Sequence, residues 1–360
     1  MNLAYDEIVG ADDQTRAGLF GTTAQRIGTT PQNVEKDFWV CWTLDALFNG
    51  RPDPTPRLLF KGGTSLSKGF RLISRFSEDI DVTVFRDDLG EQASAEELQR
   101  MSATARKRAL DAIAEACAAY VQGHLRDALS ASAAEACARS GLAPDRLVVR
   151  PADDDPQSLK LWYPPATPTD GYVEQAVKIE LGAKSALDPH EARTLQPYLA
   201  EDVPQLALDV ANVVTVDPLR TFWDKVVILH GLRSWYVAKG ALRGEGQRVS
   251  RHYYDLHRLL ASDVGPRALG APDLGADCVA HARLFFNRPP FDLATARPPT
   301  FALTPVEGMT EALRRDYSAM RGMIFGSAPE FAAILDSVGE LEHRINALGG
   351  WPGGERDAGL

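Results

Sequence analysis

The sequence predicts an α+β fold, in which a mixed sheet with helices is followed by a mostly helical C-terminal lobe. Three observations support this prediction. A short apolar strand, a glycine turn, a helix and a β-branched strand follow one another between residues 58 and 85. Alanine-rich helical segments and three further strand patterns come next, and from Pro218 onward the pattern is mainly helical. Strands followed by a run of helices are typical of an α+β protein.

Each element follows from its local pattern. Short apolar or β-branched runs bounded by turn residues predict strands, and they occur at residues 58–60, 80–85, 147–149, 159–163 and 173–181. Alanine, leucine, arginine and glutamate, or apolar residues recurring on one face, predict helices, and these cover residues 64–74, 93–140 and much of 218–347. An earlier helix is expected to start at Thr30 and Pro31, a capping residue followed by a proline in the first turn.

The composition is that of a globular protein. Of the 360 residues, 44% are hydrophobic and 24% are charged, a balance that excludes a disordered chain. No apolar run approaches the roughly 20 residues that span a bilayer, and the N-terminus lacks the basic start and apolar core of a signal peptide. The four cysteines show no paired spacing. We therefore expect a reduced, cytoplasmic protein with no membrane partner and no zinc site.

The length allows two domains. We expect a core with N-terminal helices over residues 1–210, a helical C-terminal lobe over 211–347 and a flexible, glycine-rich tail over 348–360. The net charge of −10 argues against a protein that coats nucleic acid generally. Residues 216–260 nevertheless hold eight Lys and Arg against four Asp and Glu. The second half can therefore carry a local basic groove.

The glycine turn after the first strand carries the first chemical signal. Gly62 and Gly63 allow the backbone to turn sharply and to approach a ligand closely. The helix that follows, which starts with Thr64 and Ser65, offers unpaired N–H groups and a hydroxyl to phosphate oxygens. Gly-Gly-x-Ser alone is a common turn, and the segment is neither a Walker A loop nor a dinucleotide-binding fingerprint.

An Asp-x-Asp pair supplies the second signal. Asp79 and Asp81 stand at the start of the next predicted strand, so both side chains point to one face. Two carboxylates beside a phosphate site are what a magnesium ion bound to a nucleoside triphosphate requires. Such a pair at a strand edge is also often simply exposed. The order of strand, turn, helix and strand within a short span favours the functional interpretation.

These segments resemble the first motif of the AbiEii/AbiGii family of nucleotidyltransferase toxins, which belongs to the DNA polymerase β-like nucleotidyltransferase superfamily. The similarity covers residues 35–40, 61–68, 75–81, 177–181, 221–227 and 251–256. It implies a polymerase β-like nucleotidyltransferase core in residues 1–210, with Mg²⁺ or Mn²⁺ as cofactor and an NTP as substrate.

The resemblance also implies roles for individual residues in the first half. Asp79, Asp81 and Glu180 would bind the metal and take part in catalysis. The nucleotide would be held by the residues of the glycine turn, namely Gly62, Gly63, Thr64 and Ser65. Glu180 lies in an alternating Val-x-Ile-x-Leu strand, which places its side chain opposite the apolar face. It can join the two aspartates as a ligand or act as the base, or it can form a salt bridge with Lys178, Lys184 or an arginine.

In the second half, the resemblance implies that Lys225 and Asp255 are catalytic, that Lys225 also contacts the nucleotide phosphates, and that Arg251 helps to bind the nucleotide. The alternatives are a surface lysine with a buried stem and a helical ion pair between Arg251 and Asp255. The family often has Arg-Asp-x-x-Asp-Leu at this place, whereas this chain has His252 at the first acidic position. Any role of that missing aspartate is therefore in doubt.

The resemblance implies transfer of a nucleoside monophosphate from an NTP to RNA, with the 3′ end of tRNA as the expected acceptor. The protein would be the toxin of a toxin–antitoxin system that defends against phage by abortive infection, with its cognate antitoxin encoded separately. The alternatives are nucleotidyl or phosphoryl transfer to a protein, a non-catalytic nucleotide- or RNA-binding sensor, and a structural metal-binding domain. The intact set of glycines and acids argues against the sensor.

Overall fold

The computed structural model describes residues 1–77, 79–91, 94–168, 174–244, 248–349 and 351–352. The chain divides into two compact units. The first unit comprises Met1–Arg71 and Arg75–Val216, and the second comprises Leu72–Ser74 and Asp217–Leu360. The second unit therefore consists mostly of the C-terminal part of the chain. It also includes the short segment Leu72–Ser74 from the first half.

Three helices open the first unit: α1 (Tyr5–Val9), α2 (Asp13–Ile27) and α3 (Pro31–Asn49). The hydroxyl of Thr30 accepts the backbone N–H of Asn33, and Pro31 occupies the first turn, so α3 begins where the sequence predicts a helix start. Almost all of α3 is buried, which makes it the central helix of this unit.

A seven-stranded sheet forms the body of the first unit. Its strands are β1 (Leu58–Lys61), β2 (Asp79–Val84), β3 (Val148–Pro151), β4 (Ser158–Trp162), β5 (Ala176–Gly182), β6 (His190–Leu195) and β7 (Val210–Val216). Their order in space is β3-β4-β5-β2-β1-β7-β6. Strand β2 is parallel to β5 and β1 is parallel to β7, whereas the other neighbouring pairs are antiparallel. The sheet is therefore mixed.

The two faces of the sheet differ in character because side chains alternate along each strand. Phe60, Ile80 and Ile179 point to one face and are fully buried, and α3 packs against β2, β5 and β7 on that apolar side. Asp81 and Glu180 point to the other face and are partly exposed. We call this second side of strands β1 to β5 the polar face.

The remaining helices of the first unit are α4 (Gly62–Lys68), α5 (Ala95–Arg100), α6 (Ala103–Tyr120) and α7 (Arg126–Arg139). A π-helical turn, Val121–Leu125, joins α6 directly to α7. The predicted helical segment of residues 93–140 is thus a short helix followed by a nearly continuous long one. Its first residue, Ala93, lies outside the described residues.

The described part of the second unit is helical, with α8 (Pro218–Lys239), α9 (Arg251–Leu260), α10 (Val264–Leu269), α11 (Pro272–Phe285), α12 (Glu307–Met320) and α13 (Phe331–Asn346). Trp223 is fully buried in its core. The ring of Trp351, at the beginning of the predicted tail, packs edge-on against Trp223 with the ring centroids 5.5 Å apart. Residues 353–360 of that tail lie outside the described residues.

The α+β class with a mixed sheet is confirmed, but several elements differ from the sequence prediction. The sequence pattern does not predict strands β6 and β7, and β7 lies at the predicted domain boundary. The helix predicted for residues 64–74 ends at Lys68. The strand predicted for residues 173–181 begins at Ala176, and Val173 lies outside the described residues. None of the helices within the described ranges is both long and apolar enough to cross a membrane.

Candidate active site

The turn between β1 and α4 requires glycine at its first position. Gly62 has a φ of +79°, a left-handed conformation that L side chains rarely adopt. A Cβ atom at this position would lie 2.0 Å from Oδ2 of Asp81. The carboxylate of Asp81 therefore rests directly against the backbone of the turn, and only a residue without a side chain permits this contact.

The second glycine of the turn, Gly63, leaves space for the side chain of an arginine. A Cβ atom on Gly63 would lie 2.4 Å from Nη2 of Arg75 and 3.2 Å from Oγ of Ser77. Arg75 is only 4% exposed, so its guanidinium is held beside the turn. The sequence pattern includes Arg75 in the motif but does not indicate a role for it. The available signal was its position just before the Asp-x-Asp strand.

The hydroxyls of the turn bond to nearby backbone. Thr64 donates its hydroxyl to the carbonyl of Asp79 at 2.5 Å, which ties α4 to the start of β2. Ser65 donates its hydroxyl to the carbonyl of Gly62 at 2.8 Å. Both residues are buried. In this arrangement the two side chains stabilise the turn, and their predicted contacts with a nucleotide stay predictions.

The three predicted acidic residues of the first half lie on adjacent strands of the polar face. Asp79 and Asp81 alternate along β2, and in the parallel register with β5 they stand opposite Lys178 and Glu180, respectively. Neighbouring strands are about 4.8 Å apart. The sheet therefore brings Glu180 beside Asp81, which sequence spacing alone could not show.

Glu180 takes part in an ion pair on its own strand. Its Oε1 lies 3.0 Å from Nζ of Lys178, and the Glu180 side chain is 43% exposed. Nζ of Lys178 also lies 3.1 Å from Oδ2 of Asp154. Burial lowers the pKa of Lys178, but the hydrogen bonds and charges of Glu180 and Asp154 outweigh it, so the net shift is upward. The salt bridge left open by the sequence is present, and it leaves Glu180 next to the aspartates.

The donor set of the polar face fits a hard divalent cation that a substrate helps to bind. Among the residues that the structure describes, no three Asp, Glu, His or Cys side chains are arranged to hold a metal ion by themselves. Magnesium is usually bound by one or two carboxylates together with substrate phosphates. Asp79 and Asp81 can supply such a pair, with the glycine turn contacting Asp81 directly.

The second unit brings two further predicted residues together. Nζ of Lys225 on α8 lies 2.7 Å from Oδ2 of Asp255 on α9, and the side chains are 7% and 0% exposed. The lysine is therefore not a surface residue with a buried stem. Arg251 lies at the first position of α9 and is exposed. The catalytic and nucleotide-binding roles of these residues stay predictions.

The strand, glycine turn, helix and second strand with paired aspartates that the sequence predicts are thus present in the first unit. The chain belongs to the AbiEii family, because the family description "Nucleotidyl transferase AbiEii toxin, Type IV TA system" matches its residues 45–337. This family consists of nucleotidyltransferase toxins of type IV toxin–antitoxin systems. The family predicted from the sequence is thus confirmed.

One solved structure is similar over most of the chain. The nucleotidyltransferase toxin MenT4 from Mycobacterium tuberculosis H37Rv is 14% identical, with a TM-score of 0.49, and the match covers 92% of this chain and 90% of MenT4. No curated protein sequence matches the chain.

Proposed function

We propose that this toxin transfers a nucleoside monophosphate from an NTP to RNA, with the 3′ end of tRNA as the acceptor. The observation that carries the proposal is the arrangement of Asp79, Asp81 and Glu180 on adjoining parallel strands, with the glycine turn in contact with Asp81. Paired carboxylates beside a phosphate-binding turn suit phosphoryl chemistry, in which positioning and charge neutralisation provide most of the catalysis.

The donor triphosphate would lie at the glycine turn. Gly62 and Gly63 let the Asp81 carboxylate and the Arg75 guanidinium lie against the turn, so that a positive charge stands beside Gly63. Asp79 and Asp81 would hold Mg²⁺ or Mn²⁺, which when bound neutralises phosphate charge and fixes the orientation of the triphosphate. Lys225 and Arg251 are proposed as further contacts to the nucleotide, and Asp255 as the acid that positions Lys225 through their 2.7 Å ion pair.

The reaction is a single displacement at the α-phosphorus. An RNA hydroxyl oxygen attacks, the bond from the α-phosphorus to the bridging oxygen breaks, and pyrophosphate leaves with that oxygen. The hydroxyl proton passes to a carboxylate, and Glu180 is the proposed base because it lies on the polar face beside Asp81.

The proposed biological role is supported by the family and by the proposed chemistry. Addition of nucleotides to the acceptor end of tRNA would prevent aminoacylation and stop translation, which is the effect expected of a toxin in abortive infection by phage. A separately encoded antitoxin would restrain it. The protein would act in the cytoplasm, where NTPs and tRNA occur. The excess of positive charge in residues 216–260 would help to attract the RNA.

The test is incubation of the purified protein with total RNA, Mg²⁺ and each α-³²P-labelled NTP. Wild type is compared with Asp81→Asn and with Asp127→Asn, a control whose side chain is 72% exposed on α7. Label in a tRNA-sized band that is lost only in Asp81→Asn supports the proposal. Label in a protein band instead of RNA would replace it with protein nucleotidylation, and no transfer to any acceptor would refute it.

A further inference from the structure

An exposed tryptophan lies on the polar face, two strands away from the paired aspartates. Trp162 ends β4 and is 36% exposed, whereas tryptophan is highly buried on average. Its alternation with the buried Leu161 directs it to the same face as Lys160. Nζ of Lys160 lies 5.9 Å from the centroid of the Trp162 ring. An aromatic surface with an adjacent cation is thus presented on the side of the sheet that carries the site.

Basic residues extend from the aspartates to the edge of the sheet. In register across four strands, Asp79 stands opposite Lys178, Lys178 opposite Lys160, and Lys160 opposite Arg150. Arg150 on the edge strand β3 is exposed. Lys160 pairs with Glu174 at 2.8 Å, an acid that is itself 44% exposed. We call Arg150, Lys160 and Trp162 the β3–β4 surface.

The β3–β4 surface lies on the opposite side of the aspartates from the glycine turn. The order β3-β4-β5-β2-β1 places the turn after β1 on one side of β2, and β5, β4 and β3 on the other. In an in-line displacement the attacking oxygen enters opposite the leaving pyrophosphate. If the triphosphate lies at the glycine turn, the acceptor therefore approaches over β5 and β4. Trp162 is two strand spacings, about 10 Å, from β2.

We infer that the β3–β4 surface binds the single-stranded end of the RNA acceptor. Trp162 stacks on a base close to the reacting terminus, and Arg150 and Lys160 contact backbone phosphates. This inference rests on the proposed function, because it takes the pyrophosphate to leave at the glycine turn. Stacking on an aromatic ring beside basic residues is how proteins bind single strands without reading their sequence. The surface would thus recognise an unpaired end of any base composition, with the rest of the acceptor recognised elsewhere.

The first test separates RNA binding from nucleotide binding. For Trp162→Ala, the KM for RNA is expected to rise about tenfold, which corresponds to loss of one stacked base, whereas the KM for the NTP stays unchanged. Trp162→Phe should restore most of the affinity, since it retains a stacking ring. Phe286→Ala, which removes a 46% exposed aromatic ring elsewhere, is the matched control. A rise in the KM for the NTP, or an unchanged KM for RNA in Trp162→Ala, would overturn the inference.

The second test measures binding without catalysis. Fluorescence anisotropy in the absence of NTP compares a labelled 12-residue oligoribonucleotide with the same strand made abasic at its three 3′-terminal positions. Wild type should bind the intact strand several-fold more tightly, and Trp162→Ala should lose this preference. Arg150→Glu should lower the affinity for both oligoribonucleotides and reduce the salt dependence of binding by about one phosphate contact. Arg108→Glu, on the exposed side of α6, should have neither effect. Equal affinities in wild type would refute stacking.

Different results would refute the proposed function and the inference about the β3–β4 surface. If wild type labels protein or nothing at all, the proposed function is refuted, and the inference falls with it. If wild type labels RNA while Trp162→Ala and Arg150→Glu match their controls, only the inference is refuted.

Discussion

The Nζ of Lys225 lies 2.7 Å from Oδ2 of Asp255, and the two side chains are buried together within the helical unit. A buried ion pair is costly to break, because the remaining charge keeps its desolvation penalty without its partner. This pair joins α8 to α9, so it can stabilise the fold, orient a lysine for catalysis, or do both. The following experiment distinguishes these roles.

Removing one member of the pair should destabilise the protein more than removing both. We expect Lys225→Met or Asp255→Asn to lower the free energy of unfolding by about 3–5 kcal/mol. The double variant Lys225→Met/Asp255→Leu should have a free energy of unfolding close to that of wild type. Denaturant unfolding measures the stability, and labelled-NTP transfer measures the activity. The double variant should fold but remain inactive. Wild-type activity in the refolded double variant would show that the pair is only structural.

The contact between Gly62 and Asp81 predicts a loss of activity that backbone strain alone does not explain. Gly62→Ala should reduce kcat on the order of 100-fold, since the new Cβ atom must displace the Asp81 carboxylate. Gly90 is a matched control, with a φ of +80° and nothing within 4 Å of an added Cβ. Gly90→Ala should cost the same strain, about 1–2 kcal/mol, and keep its activity. Similar activity losses in the two variants would contradict the importance of this contact.

Glu180 should matter more for catalysis than its ion-pair partner does. Glu180→Gln removes the proposed base and should lower kcat by at least about 100-fold at saturating RNA and NTP. Lys178→Gln breaks the same 3.0 Å ion pair but leaves the carboxylate, so kcat should fall less than about tenfold. Steady-state kinetics over a range of pH checks both. An equal fall in the two variants would assign Glu180 to the ion pair alone.

The stability of the helical unit should decrease at acidic pH because of His230. Its Nδ1 accepts the N–H of Ala302 at 3.2 Å, and its Nε2 donates to the carbonyl of Asp292 at 3.1 Å, which requires the neutral ring. Burial lowers the pKa of His230 below its ordinary value. As the pH falls through about 6.5, the histidine of the unfolded chain therefore binds a proton before that of the folded chain does. Because protonation stabilises the unfolded state, the free energy of unfolding decreases.

Chemical denaturation at pH 7.5 and 5.5 measures this effect. Wild type should lose stability on acidification, and His230→Gln should show a smaller loss whatever its stability at pH 7.5. His343→Gln, which changes an exposed histidine, should behave as wild type. An unchanged pH dependence in His230→Gln would show that the buried ring does not titrate in this range.

The local part of the site could be predicted from the sequence, but its non-local part could not. The glycine turn and the shared face of Asp79 and Asp81 depend only on residues that are close in the sequence. The two-residue period of a strand and the residue preferences of turns are therefore sufficient to predict them. The position of Glu180 opposite Asp81 depends on the pairing of strands about a hundred residues apart. The surroundings of Arg75 and Trp162 could not be predicted for the same reason. Only the folded sheet shows which group an arginine approaches and which ring stays exposed.

The missed elements have physical reasons as well. Strand β7 pairs with β1 from the other end of the unit, and its short apolar run stands immediately before α8, where a domain boundary was expected. Strand β6 is mostly exposed at the edge of the sheet, so it lacks an apolar pattern. The helix α4 ends early, and Arg71 shortly after it has a φ of +54°, a left-handed conformation that a continuing helix does not allow.

We propose that the paired aspartates catalyse nucleotidyl transfer to RNA. The most direct measurement gives wild type and Asp81→Asn the same NTP and tRNA, with the NTP labelled with ³²P at either the α- or the γ-phosphate. We expect wild type to incorporate the α-label into tRNA and to release the γ-label as pyrophosphate. We expect Asp81→Asn to do neither. Incorporation of the γ-label would demonstrate phosphoryl transfer instead, and undiminished incorporation of the α-label by Asp81→Asn would contradict the assigned site.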